Sequence, residues 1–346
     1  MTALADAIKK VATGPHLSKD LTTEELVAAM QEILSGEADE VRAAIFFIAL
    51  RMKGETNAEN LGVLQALQQH TRQLDLAVDD LLVYSDPFNG FNRHCPMSVF
   101  MLPVLAAAGL AVMSQGVQSM GPKFGVTHAQ VLQAAGMSQQ TLETAKSRLE
   151  DPSIGWAYVD QSVASPAVFQ LQSLRERMIK RPSIATLEKM LLPLRARRNH
   201  LMIGFVHKAY PSVLGWLVNH SDFNSAMIMR GLEGGVIPTL RELSNNYQVL
   251  DGVLKEWPLD PLQFAIEQDT RGVQPVAEKV TAAETLERGL EALNGHKGPA
   301  RDSLIYGAAA ALCHCGLHAD FMVAANHVRE LLDSGKALQQ FEQGRR

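Results

Sequence analysis

The chain has 346 residues, with 32 Lys+Arg against 37 Asp+Glu and a formal charge of −5. Apolar residues make up 47% and charged residues 20%, which excludes collagen-like, coiled-coil and disordered classes. A chain this long buries roughly three quarters of its unfolded surface and divides into about two domains. Mild acidity argues against a protein that coats nucleic acid with its whole surface, but it leaves room for a local basic patch.

The N-terminal seventy or so residues read as short helices with short loops, the pattern of a small helical bundle. Thr22, with Glu25 three residues on, predicts a capping box. Leu26, Met30, Ile33 and Leu34 follow at helical spacing before Gly36. Val41, Ala44, Ile45, Ile48 and Ala49 mark a second such run, which Gly54 stops, and Asn57 opens another through Leu67.

Near residue 80 the pattern changes. Asp80 to Tyr84 predicts a buried strand, ended by Ser85-Asp86-Pro87-Phe88-Asn89-Gly90. Val99 to Gly109 predicts a helix, Leu110 to Met113 a strand, and His128 to Ala135 a helix stopped by Gly136. Trp156 to Val159, Leu201 to Val206 and Ala226 to Met229 predict further strands. Such alternation predicts an α/β fold with a mostly parallel central sheet flanked by helices. Ligands then bind beyond the carboxyl ends of the strands, at loops 85–95, 114–125 and 230–237.

Cys95, Cys313 and Cys315 suit a reducing compartment, and an odd count is no disulfide framework. Cys313-His314-Cys315 is too tight for usual zinc spacing, so no metal ligand is assigned and small buried residues on an Ala-rich helix are expected. Asp6, Lys9 and Lys10 interrupt any secretory signal. The longest apolar run, Val99 to Met113, falls short of the ~20 residues that span a bilayer. A cytoplasmic location and no membrane partner are expected.

Four segments in order resemble the anthranilate phosphoribosyltransferase family and its relatives, the pyrimidine nucleoside phosphorylases (glycosyltransferase family 3). They are Leu50-Arg51-Met52-Lys53-Gly54-Glu55-Thr56, Thr186-Leu187-Glu188-Lys189 with Pro193-Leu194, Gly204-Phe205-Val206-His207, and Asp333-Ser334-Gly335-Lys336-Ala337. The resemblance implies an N-terminal helical bundle domain over 1–72, with a returning segment at about 165–190. It implies a larger α/β domain over 78–164 and 191–346. It further implies a substrate cleft between the domains and a homodimer formed through the helical domain.

The resemblance breaks at the ligand loops. The enzymes bind a pyrophosphate-bearing sugar through Gly-Thr-Gly-Gly-Asp, where backbone N–H groups approach phosphate closely. Here Pro87 removes a donor and Phe88 adds bulk. Asp86, Asn89 and Gly90 remain ligand-loop candidates, and Asn92, Arg93 and His94 are expected to reach an anion by side chain. The second loop lacks the family's Lys and His, leaving Gly116, Ser119, Lys123 and Gly125. In the stretch that corresponds to the family's Asp-Glu pair for Mg²⁺ only Glu233 is acidic, it sits ahead of the pair's position, and between glycines it reads as a surface turn residue. A lone Lys123 reads as a solvated loop lysine, but its place in the motif keeps it a ligand candidate, and His94 and His207 read as structural. A Mg²⁺ bridging pyrophosphate usually needs one or two carboxylates, so no cofactor is expected unless transferase activity persists. No nucleophile–base pair stands at recognisable spacing, and no catalytic residue is assigned.

Residues 171–200 carry Arg175, Arg177, Lys180, Arg181, Lys189, Arg195, Arg197 and Arg198 against Glu176 and Glu188. That segment is net +6, so the remainder is −11. Arginine forks suit phosphate, and some non-biosynthetic relatives are described as nucleic-acid binders. The main expectation is therefore a divergent, non-catalytic member that binds DNA or RNA non-specifically through this belt. The alternative is an active glycosyl- or phosphoribosyltransferase with an altered, phosphorylated small-molecule substrate.

Overall fold

A computed structural model describes residues 2–14 and 16–346. The chain separates into two compact units. The first comprises the chain through Gln73, with Met120–Pro122 and Gln161–Pro193; the second comprises Leu74–Ser119, Lys123–Asp160 and Leu194–Arg346.

The first unit is helical. Its leading helices are Ala3–Val11, Thr23–Leu34, Glu40–Lys53 and Asn57–Gln69. Thr22 caps the second: its hydroxyl accepts from Glu25 N at 3.2 Å, and Glu25 accepts from Thr22 N at 3.1 Å. Thr56 and Glu59 repeat this box on the fourth helix, so orphan donors at both helix starts are met. Glu59 is fully buried and also accepts from Leu21 N at 3.0 Å and Lys53 Nζ at 2.9 Å. A polar side chain at that depth needs several such partners. Leu26, Met30, Ile33 and Leu34 all turn inward.

The second unit is built on strands β1 (Leu74–Asp75), β2 (Asp80–Ser85), β3 (Ala111–Gly116), β4 (Trp156–Asp160), β5 (Leu194–Arg195), β6 (Arg198–Gly204), β7 (Ser225–Met229), β8 (Ser244–Leu250) and β9 (Val253–Leu259). β1 and β5 pair with each other; the rest form one sheet in the order β4-β3-β2-β6-β7-β8-β9. The first five strands in that order are parallel. Leu81, Leu82, Val83 and Tyr84 on β2 are all buried, as a parallel strand covered on both faces requires. Helices such as Met101–Ala107 and Pro299–His314 supply apolar cover. The fold is thus a helical bundle followed by a larger α/β unit with a mostly parallel sheet.

Two details depart from the sequence reading. The strand expected from Leu201 starts earlier, at Arg198, and ends at Gly204. The β8–β9 hairpin is antiparallel and had no counterpart among the expected strands. Its turn is Asp251-Gly252, both with positive φ (51° and 76°), the backbone a two-residue hairpin needs. That dipeptide was the available signal. Lys255, Glu256 and Pro258 are exposed along β9.

Candidate functional site

The carboxyl ends of β2, β3, β6 and β7 meet the three loops singled out from sequence. Asp86 follows β2 and is buried. It accepts from Ser98 Oγ, from His128 Nε2 at 2.9 Å and from Val236 N at 3.0 Å. Ser98 Oγ also lies 3.0 Å from His128 Nε2, and His128 Nδ1 lies 3.2 Å from Ser114 Oγ on β3. Burial works to raise the Asp86 pKa, but the His128, Ser98 and Val236 hydrogen bonds outweigh it and hold the carboxyl below its ordinary value. Asp86 therefore ties its own loop to the β7 loop. Ser98 and His128 were missed from sequence; they lie 12 and 42 residues from Asp86.

Glu233 is the second centre, and here the sequence reading is corrected. Its side chain is 2% exposed. It accepts from the backbone N–H groups of Asn92 (3.1 Å), Arg93 (2.9 Å) and His94 (3.0 Å). Lys123 Nζ bonds the same carboxylate, the His94 ring lies 3.4 Å away and Arg93 Nε 3.9 Å away. Burial favours the neutral acid, yet the donors from His94, Lys123 and Asn92 prevail and hold the pKa well below the ordinary carboxylate range. Asn92, Arg93 and His94 thus grip an anion chiefly by backbone, not side chain. Lys123 is not a solvated loop residue: it is ion-paired and lies over the Phe91 ring at 5.4 Å.

The loops are zipped together. Phe91 and Val126 exchange N–H···O bonds at 2.9 and 2.8 Å, and Gly125 N donates to Asn89 O at 2.9 Å. A Cβ on Gly90 would stand 2.3 Å from the Gly125 carbonyl, and one on Gly235 would stand 2.6 Å from the Phe91 ring. Neither position has room for a side chain larger than hydrogen. Asn89 is buried, and Gly116 closes β3 beside Tyr158. Ser119 is half-buried in the following loop. Phe88 is buried rather than open to solvent.

A cavity of about 320 Å³ beside Arg288, His296 and Lys297 shares Gly272 and Val273 with a smaller space near Glu233, and two small cavities touch Asp86 itself. One, of about 20 Å³, touches Asp86, His94, Leu232 and Gly235. The other, of about 10 Å³, touches Asp86, Phe88, Gly116 and His128. Each holds a water molecule at most, whereas small-ligand pockets run to roughly 300 Å³ or more. The donor set does not fit a divalent cation in this arrangement: Glu233, the acidic residue of its loop, is already bonded to a lysine and three N–H groups. Among the described residues no cluster of three or more His, Cys, Asp or Glu is placed to hold a metal. Cys313 and Cys315 are half-buried thiols whose pKa values burial pushes up to about 11 and about 12.

The basic belt is largely neutralised. Arg175 and Lys189 are buried, which corrects their reading as surface phosphate contacts. Arg175 forms a two-pronged pair with Glu188 at 2.7 Å on each arm. Arg177 pairs with Glu40 at 2.6 Å, Arg195 with Asp222 and Arg197 with Asp79 at 3.8 Å each, and Arg198 with both oxygens of Asp80. Lys180 and Arg181 are exposed.

Residues 5–71 match the helical bundle domain of the glycosyl transferase family, and residues 90–338 match its a/b domain. The chain belongs to this family. Anthranilate phosphoribosyltransferases are similar to it over nearly their full length. That of Geotalea daltonii is 29% identical over 97% of both chains, and that of Methanobrevibacter smithii is 29% identical over 98% of this chain and 97% of its own. The enzyme of Saccharopolyspora erythraea is 30% identical over 85% of this chain and 81% of its own. Among solved structures, the Thermus thermophilus anthranilate phosphoribosyltransferase aligns with a TM-score of 0.81 at 21% identity, covering 100% of this chain and 98% of its own. Family membership and fold are therefore settled, and no helix among the described residues is long and apolar enough to cross a membrane.

Because its folded pKa is depressed, Asp86 stabilises the folded state above about pH 4 and loses that contribution as pH falls through the folded pKa. Asp86→Asn is expected to destabilise the protein by about 1–3 kcal/mol at pH 7, with a smaller gap at pH 3. Urea unfolding at both pH values measures this; an unchanged gap would count against it.

Proposed function

We propose that this chain is a transferase of the anthranilate phosphoribosyltransferase type with an altered substrate. The observation that carries this reading is the seat at the sheet's carboxyl edge, where three consecutive N–H groups, Lys123 and His94 converge on one anion. A phosphoryl group is recognised by such donors, and the nearly full-length match to anthranilate phosphoribosyltransferases supports a phosphate-bearing ligand. In this role the amides and Lys123 hold the phosphate and stabilise charge on a departing pyrophosphate. The substrate is altered because Asp86, Phe88 and His128 fill an edge where the family's loops are glycine-rich. A yeast relative was solved with PRPP and Mg; here a divalent ion lacks the paired carboxylates that would hold it independently of the ligand.

A second reading, non-specific nucleic-acid binding, is supported by the exposed Lys180 and Arg181 and by the exposed pairs of Arg177, Arg197 and Arg198, which phosphates can exchange into. The belt's buried members weaken it. We also infer a homodimer through the helical unit. Val41, Ile45 and Met52 share one face of helix Glu40–Lys53 and are 65%, 46% and 79% exposed. The free cysteines fit a cytoplasmic location.

Calorimetry with phosphoribosyl pyrophosphate and Mg²⁺ at millimolar ligand should give measurable heat, and silence would remove the transferase reading. The chain is not expected to rescue a tryptophan auxotroph. Gel shifts with DNA and RNA at ~50 mM salt test the second reading: binding should weaken steeply on raising salt, and no shift at low salt ends it. Light scattering should give twice the chain mass, falling to the monomer in Val41→Glu with Ile45→Glu.

A further inference from the structure

The anion in the amide seat is the chain's own side chain. Asn92, Arg93 and His94 present three successive N–H groups to Glu233, the concave arrangement that binds anions generally. A carboxylate offers two oxygens and one charge. A phosphoryl group offers three oxygens and close to two charges, so the same donors hold it better. The segment carrying Glu233 is suited to leaving. Glu233 sits at φ +53°, a region that L side chains rarely adopt, between Gly231 and Gly234. Leu232 and Gly235 form part of the wall of the 20 Å³ cavity. Their departure would enlarge the space directly beside the seat.

We propose that Glu233 is a built-in competitor for this seat. The phosphoryl or pyrophosphoryl group of a small ligand displaces its carboxylate from residues 92–94 and Lys123, and the 231–235 segment moves out to admit the rest of that ligand. The class of ligand rests on the transferase reading above; the exchange itself rests on the seat. No bond is made or broken in it: one anion replaces another on the same donors. A competitor held inside the protein lowers apparent affinity by the fraction of molecules in which the seat is free.

The test titrates inorganic pyrophosphate into the full chain and into Glu233→Gln and Glu233→Ala, followed by calorimetry. Affinity should rise by about tenfold or more in Glu233→Ala, and to a lesser degree in Glu233→Gln, which keeps the side-chain length and guards against a folding defect. Adding Lys123→Ala to Glu233→Ala should abolish the gain. Hydrogen exchange supplies a second readout: the amides of 92–94 should be protected in the native chain, fast in Glu233→Ala, and protected again by pyrophosphate. Equal affinity in the native chain and both variants overturns the proposal, as does amide protection that does not depend on Glu233. A gain in pyrophosphate affinity without binding of phosphoribosyl pyrophosphate by the native chain leaves the competitor standing and removes the transferase reading instead.

Discussion

A buried carboxylate cannot stand without donors, and at Asp86 that requirement organises the whole ligand edge. The side chain is buried and ionised, so solvation lost on folding must be replaced by hydrogen bonds. Its donors come from three separate places: the turn that follows its own loop, the helix beginning at His128, and the backbone after β7. Satisfying one charge therefore draws three segments to one point. The close glycine contacts at Gly90, Gly125 and Gly235 are what such convergence demands of the backbone. The small residual cavities follow from it too.

Fold and edge rest on different kinds of interaction. The sheet depends on apolar runs such as Leu81 to Tyr84, buried along their whole length. The edge depends on a few polar atoms. A few side chains there can change without disturbing the sheet. Glu233 shows the same logic, since one carboxylate answers the demands of the amides left by the 91–94 turn.

Much of the fold was legible because the signals are local. Thr22 and Glu25 lie three residues apart, and β2 announces itself by a continuous apolar run. The hairpin was lost because β8 mixes Asn245, Asn246 and Gln248 with its apolar residues, which hides strand alternation. The site was legible only as a set of loops. Glu233 meets Arg93 across 140 residues, and no spacing rule reaches that far. Its flanking glycines suggested a free turn, whereas they are there so that backbones can touch. The pairing within the basic belt was hidden for a related reason. Counting charges within a window overlooks Glu40, Asp79, Asp80 and Asp222, which lie outside it and pair with its arginines.

The antiparallel hairpin that completes the sheet has a consequence for the protein's behaviour in concentrated solution. A parallel sheet ending at β7 would present a fully apolar strand, Ala226-Met227-Ile228-Met229, as an open ladder to any neighbouring chain. β8 and β9 move that boundary outward by two strands. A stray strand approaching the new margin meets the charges of Lys255 and Glu256, and at Pro258 a residue with no N–H to offer. The hairpin thus works as a selvedge, finishing the sheet so that it does not ravel into its neighbours.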